Sequence, residues 1–364
     1  MPLVPRPGIL DIKPYVGGES DLPGANRVIR LASNENPLGC GERGRTAYMA
    51  RAEELHRYPD GAARQLRETL AETHGLPAGQ LVCGAGSDEL ITLLVRAYAG
   101  PGDEVLHSAH GFLMYALAAR GVGATPVSAP ERNLIADVEA LLERVSPRTR
   151  LLFLANPNNP TGSHLSGAAL KALRAGLPEQ VLLVIDAAYA EYADYIAGEG
   201  YESGAGLVRE HDNVVMLRTF SKIHGLAALR LGWCYCPAEV ADVLNRLRGP
   251  FNVSAPALAA GVAALEDAEH LSRSCRHNAE WLAWFTIEVG KLGLTVVPSI
   301  GNFVLVRFPE TPQRNAAAAL ALLKRHGILV RGMAAYGLPD SLRITIGTEE
   351  DMRAVVAALA EFVP

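Results

Sequence analysis

Thr219–Trp233 reads TFSKIHGLAALRLGW: one lysine in a run that is otherwise mostly small, apolar or hydroxyl-bearing, and one arginine eight residues after it. Burying a lysine costs free energy unless something pairs it or uses it, so the purpose of Lys222 organises the reading of everything around it.

The wider chain sets the bounds. With 364 residues, 49% of them hydrophobic, it can bury the core of two domains, or of one large domain with an appendage. Its 34 basic and 39 acidic residues leave a net charge of -5, so no broad cationic face is expected for nucleic acid or an anionic membrane, and a small molecule is the expected partner. The five cysteines, Cys40, Cys83, Cys234, Cys236 and Cys275, are odd in number, scattered and without C-x-x-C pairs, as expected of free thiols in the cytosol. Prolines interrupt the opening MPLVPRPGILDIKPY, and no run approaches the roughly 18 apolar residues of a membrane span.

Between about residues 60 and 250, helical patterns alternate with short apolar runs, which predicts an α/β domain with a parallel sheet covered on both faces. Asp88–Ala99 carries Leu90, Leu93, Leu94 and Ala97 at helical spacing, acids in its first turn, and Gly100-Pro101-Gly102 as its stop. The expected strands are Leu81–Cys83, Glu104–Leu106, Leu151–Ala155, Val181–Ile185 and Val214–Leu217. After Gly249-Pro250 the texture changes: a helical stretch over 256–292 with a break near Asp267, strands over 294–297 and 302–308, a helix over 313–326, a strand over 342–346 and a last helix over 349–362. The chain therefore divides into an arm over 1–35, a large domain over 36–250 and a smaller α+β domain over 251–364.

In an open α/β sheet, ligands bind beyond the carboxyl ends of the strands. Leu81–Cys83 is followed by Gly84-Ala85-Gly86-Ser87 and Asp88 opening a helix, a ready cradle for a phosphate. Beyond the next three strands lie Phe112, then Asn159 within Asn156-Pro-Asn-Asn-Pro-Thr-Gly162, then Asp186 and Tyr189; Val214–Leu217 leads to Thr219, Ser221 and Lys222. An aromatic plate, an amide, a carboxylate, a phenol, a phosphate nest and a lysine on one rim fit pyridoxal phosphate. Lysine forms a Schiff base with its aldehyde, and a carboxylate keeps its pyridine nitrogen protonated. Asn159 and Tyr189 can reach the ring's 3-oxygen, and Arg230 with Ser221, Thr219 and Ser87 can neutralise the phosphate.

With those spacings the chain resembles the fold type I aminotransferases. Leu31-Ala-Ser-Asn-Glu-Asn-Pro37, Arg57-Tyr-Pro-Asp60, Gly86-Ser-Asp-Glu89, Asn156–Gly162 and Leu342-Arg-Ile-Thr-Ile-Gly347 are similar to the histidinol-phosphate aminotransferase family over essentially the whole length. The resemblance implies a large pyridoxal-phosphate-binding domain on a mostly parallel, seven-stranded sheet and a smaller carboxy-terminal domain. It implies that Lys222 holds the cofactor and then moves the substrate α-proton, that Asp186 pairs with the pyridine nitrogen, that Tyr189 stands with them, and that Phe112 stacks on the ring. It assigns Gly86, Ser87 and Asp88 to the cofactor, Arg343 to the substrate α-carboxylate, and Asn34, Tyr15 and Arg331 to the rest of the substrate. Tyr58 is expected to reach the cofactor phosphate of a neighbouring subunit, making a homodimer part of catalysis. The implied reaction is transamination of histidinol phosphate with 2-oxoglutarate in histidine synthesis.

Aromatic amino-acid aminotransferases share these motifs, and decarboxylases use the same scaffold; a non-catalytic cofactor-binding regulator fits the intact set from Asn159 to Arg230 poorly. The Gly84–Glu89 run lacks the third glycine of a dinucleotide fingerprint. His107 and His110 form H-x-x-H without a partnering acid motif, so no metal is expected, and His224 is given no role.

Overall fold

Seven short runs form the strands of one sheet: β1 Leu81–Gly84, β2 Glu104–Ser108, β3 Thr125–Ala129, β4 Thr149–Ala155, β5 Leu182–Asp186, β6 Val214–Thr219 and β7 Gly232–Tyr235. In the computed structural model, which describes residues 3–6, 8–24, 27–311 and 313–362, their order is β1-β7-β6-β5-β4-β2-β3. Met1, Pro2, Pro7, Ala25 and Asn26 of the expected arm, and Pro312, Val363 and Pro364 of the expected small domain, lie outside the described residues. Only β7 runs antiparallel to its neighbours. The mostly parallel sheet needs apolar residues on both faces. Along β5, Leu183 and Ile185 enter one core while Leu182 and Val184 enter the other, and β4 and β6 alternate in the same way.

The helix Ser87–Tyr98 covers one face, burying Leu90, Ile91, Leu93, Leu94 and Val95, as its apolar spacing dictates. Leu66 and Leu70 of the helix Arg64–His74 cover the other face. The strand β3 was not expected from sequence. Its TPVSA carries a proline, which an edge strand tolerates because it is paired on one side only, here to β2.

A second, antiparallel sheet is built from β8 Thr295–Val297, β9 Phe303–Arg307, β10 Arg331–Met333 and β11 Leu338–Thr345, in the order β8-β9-β11-β10. The helices Ala268–Lys291, Ala316–Arg325 and Glu349–Phe362 contribute Phe285, Leu323 and Val355 to its core. The helical pattern does break at Asp267, whose side chain caps the helix that follows by accepting from the His270 N–H at 3.1 Å. The preceding helix, Ala255–Leu265, places Ala257, Ala260 and Ala264 in the same core as Leu66 and Leu231. A reciprocal Thr348–Asp351 cap opens the last helix, Thr348 Oγ1 accepting from the Asp351 N–H at 3.3 Å and Asp351 Oδ2 from the Thr348 N–H at 3.0 Å.

The arm joins the two layers. Ile29 and Arg30 pair in parallel with Ile328 and Leu329, Leu31 enters the small core, and its carbonyl accepts from the Thr345 N–H at 3.0 Å. Ala32, Ser33 and Asn34 then run directly to the carboxyl ends of the large sheet's strands. Among the described residues no helix is long and apolar enough to cross a membrane.

Candidate active site

Ala155, Asp186 and Thr219, the last residues of β4, β5 and β6, line a cavity of about 340 Å³, a size suited to a cofactor with its substrate. Every residue nominated from sequence lines it except Gly86, which lies directly before the lining residue Ser87, and Tyr58.

At one end stands Asp186, 5% exposed. Its Oδ2 accepts a hydrogen bond from the Tyr115 hydroxyl at 2.8 Å, while its Oδ1 is buried with no partner among the described residues. Burial raises the carboxyl to about 6, with the Tyr115 hydroxyl and the nearby Ala188 N–H pulling the other way. A buried carboxylate oxygen without a donor is costly, and a pyridinium N–H is a donor of the right charge for it. Tyr115 was missed in the sequence because MYALAA reads simply as a core helix face. The available signal was a phenol on that face, since a buried tyrosine hydroxyl needs a partner.

Lys222 occupies the loop after β6. Its Nζ donates to the Ser33 carbonyl at 3.0 Å and lies 5.8 Å from the centre of the Tyr189 ring. Burial, helped by the positive field of Arg343, pushes the amine down to about 8, so a neutral, nucleophilic form is within reach. The Tyr189 hydroxyl accepts from Asn34 Nδ2 at 2.9 Å, and burial raises its phenol. Asn34 adopts a left-handed φ of 55°, which asparagine tolerates, and its N–H donates to Thr345 Oγ1 at 2.9 Å, tying the small sheet to Tyr189. Phe112 forms a wall, edge-on to Tyr115 at 5.9 Å and to Tyr15 at 6.4 Å.

The Ser87–Tyr98 helix points its N-terminus at the cavity. Gly86 has φ 84°, and a Cβ there would lie 2.5 Å from Arg230 Nη2; a Cβ on Gly232 would lie 2.4 Å from the Ser87 nitrogen. Both glycines permit a close approach: a side chain at either would displace the Arg230 guanidinium or the Ser87 N–H from beside the helix N-terminus. Arg230, itself left-handed at φ 52°, donates to Asp88 Oδ2 at 3.0 Å and Ser221 Oγ at 3.3 Å. Asp88 thus aims a guanidinium; its own carboxylate would repel a phosphate.

The opposite wall comes from the small sheet. Arg343 of β11 is buried; it donates to the Ala32 carbonyl at 2.7 Å and to Asn159 Oδ1, and its Nε has no partner. Arg331 of β10 sits directly across from it, donates to the Val16 carbonyl at 2.9 Å and lies 5.4 Å from the Tyr15 ring centre. Like charges facing each other across two strands are destabilising. Among the described residues no carboxylate pairs with either, so this wall is built for anions that arrive from outside.

His224 is buried behind the lysine loop, 4.9 Å from the Phe220 ring and 3.9 Å from Glu191 Oε1; burial lowers it to about 4 and leaves the ring neutral. His107 and His110 use their Nδ1 atoms on the Ser108 carbonyl at 2.7 Å and Glu131 Oε2 at 2.8 Å. Among the described residues no group of His, Cys, Asp and Glu could hold a metal ion.

The unpaired Asp186 Oδ1, the Ser87 helix N-terminus beside Arg230 and the depressed Lys222 amine fit pyridoxal phosphate at three separate points. A histidinol-phosphate aminotransferase of Paramagnetospirillum magneticum is 57% identical over 359 residues, 99% of this chain and 98% of the relative. One from Maricaulis maris is 53% identical over 362 residues, 100% of this chain and 99% of the relative. Among solved structures, histidinol-phosphate aminotransferase from Sinorhizobium meliloti in complex with pyridoxal-5'-phosphate superposes with a TM-score of 0.85 at 30% identity, covering 93% of this chain and 91% of that one. The family model described as aminotransferase class I and II matches residues 26–359, and the chain belongs to that family.

Proposed function

We propose that the protein is a pyridoxal-phosphate-dependent aminotransferase that converts histidinol phosphate and 2-oxoglutarate to imidazole-acetol phosphate and glutamate, in histidine synthesis. The observation that carries it is the placement of a carboxylate oxygen without a partner and a depressed lysine amine in one cavity whose far wall bears two arginines with no carboxylate partner among the described residues. The identity to histidinol-phosphate aminotransferases over nearly the full length supports the choice of substrate.

The cofactor supplies an electron sink for the charge left when the substrate loses its α-proton. Asp186 Oδ1 holds the ring nitrogen in its protonated form, Tyr189 and Asn159 orient the 3-oxygen, and Phe112 covers one face. The Ser87 helix terminus, Thr219, Ser221 and Arg230 hold the phosphate. Lys222 Nζ anchors the cofactor and then carries the proton away from the substrate α-carbon. Arg343 receives the α-carboxylate through the edge whose Nε is unpaired. Arg331 and Tyr15 hold the distal anion, which is a phosphate in one half-reaction and a carboxylate in the other, and one cationic pocket serves both.

Purified enzyme loaded with cofactor is expected to be converted to its amine form by histidinol phosphate at least tenfold faster than by phenylalanine at equal concentration, a preference of about 1.4 kcal/mol or more. Stopped-flow absorbance measures this. Faster conversion by phenylalanine would make the enzyme an aromatic aminotransferase, and no conversion by either amine would remove the substrate class.

We place the enzyme in the cytosol and infer a homodimer with shared sites. Tyr58 is 83% exposed, lies outside the cavity lining of its own chain and stacks on Phe251 at 4.7 Å; Met49 and Leu55, a few residues before it in the chain, are exposed apolar residues as well. If Tyr58 completes a neighbour's phosphate site, a mixture of inactive Lys222→Ala and weakened Tyr58→Ala chains, refolded together, regains activity, since one mixed site carries both native residues. Activity no greater than the sum of the separate variants refutes the shared site.

A further inference from the structure

The Tyr115 hydroxyl has a place in this site that none of the motifs announces. We propose that Tyr115 is a positioning residue, holding Asp186 through one carboxylate oxygen so that the other is left as the acceptor for the cofactor's ring nitrogen; the inference rests on the functional reading above. A carboxylate on a short side chain can rotate and present either oxygen. Here the phenol has already chosen Oδ2, at 2.8 Å, and Oδ1 alone remains free.

The donor is rigid. Tyr115 is fully buried on the helix Met114–Val122, its ring stacked on Phe153 of β4 at 4.7 Å and 10°, with Phe112 edge-on against it at 87°. It also always carries its proton, since burial pushes the phenol well above its ordinary value. A permanent neutral donor favours the ionised carboxylate, whereas the burial of Asp186 and the nearby Asp88 favour the protonated one, with the Ala188 N–H and Lys222 acting on the side of Tyr115. The outcome decides where the proton between Asp186 and the ring nitrogen resides. With Tyr115 in place it belongs to the ring, where it makes the heterocycle an acceptor of electrons; without the hydroxyl it moves toward the carboxyl oxygen.

Tyr115→Phe keeps the ring stack and deletes the hydroxyl; Phe153→Leu loosens the stack and keeps the hydroxyl. Each variant is loaded with pyridoxal phosphate labelled with 15N in the ring. The ring 15N resonance in Tyr115→Phe is expected to shift toward that of an unprotonated pyridine, and the cofactor Kd from equilibrium dialysis to rise about tenfold, as the loss of one hydrogen bond to a charged group predicts. Phe153→Leu is expected to keep the wild-type resonance. An unmoved resonance in loaded Tyr115→Phe overturns the proposal alone, and so does an equal displacement in Phe153→Leu, which would make packing the cause. A wild-type chain that binds no pyridoxal phosphate overturns the functional reading and this inference with it.

Discussion

Lys222→Met is expected to lower turnover by on the order of 10⁴-fold and to abolish, in the same step, the absorbance band of the imine between lysine and cofactor. Methionine fills the same volume, so the Ser33 carbonyl and Tyr189 ring that surround Nζ keep their packing while the one proton-carrying amine among them is lost. Steady-state rates and absorbance spectra of the purified variant check this, and turnover within tenfold of wild type would take Lys222 out of the mechanism. The same variant has a second signature. The amine titrates at about 8 when folded against 10.5 ordinarily, so between those values the unfolded chain binds the extra proton and the stability of the cofactor-free wild type gains with rising pH. Below pH 8 the lysine is charged in both states and the fold carries the full penalty of burying it. Cofactor-free Lys222→Met is therefore expected to melt higher than wild type at pH 7, with the gap narrowing by pH 10. A gap independent of pH would mean that the amine is not desolvated.

If Arg343 receives the α-carboxylate as proposed, Arg343→Ala is expected to reduce kcat/KM for the amino donor by on the order of 10²–10³-fold, mostly through KM, through loss of a charge-assisted pair. The guanidinium is fixed before substrate arrives, held by the Ala32 carbonyl and Asn159, and its charge is opposed only by another arginine across the strands. Removing it relieves that repulsion, so the variant is expected to melt no lower than wild type within the effect of the cavity it leaves. An unchanged KM, measured with saturating acceptor, would show that the carboxylate is held elsewhere.

The parallel sheet was legible because its central strands are buried on both faces and so are uniformly apolar: β5 is LLVID and β6 is VVMLRT. The edges were not. Strand β3 carries Pro126 and polar residues on its half-solvated side, and β10 is the three-residue RGM beside a bulge, too short for any period to show. In the site the same division holds. Asp186 and Lys222 follow directly from strand ends and could be placed by counting, whereas Tyr115 acts on Asp186 across 71 residues and Asn34 on Tyr189 across 155. Contacts of that separation are made by the packing of a helix on a sheet or of the arm on both layers, and neither leaves a local pattern. The role of Asp88 was likewise invisible, because its partner Arg230 is 142 residues away.

The segment from Ile29 to Asn34 is anchored at both ends, in register with Ile328 and Leu329 at its start and by the Thr345 hydroxyl at its finish. Within four residues it delivers the carbonyls of Ala32 and Ser33 to Arg343 and Lys222. Such a tether has no slack. Lengthening it by a single residue would misalign both carbonyls together, and because Tyr15, Gly17 and Gly18 line the cavity just ahead of it, natural insertions and affinity tags alike belong before Tyr15.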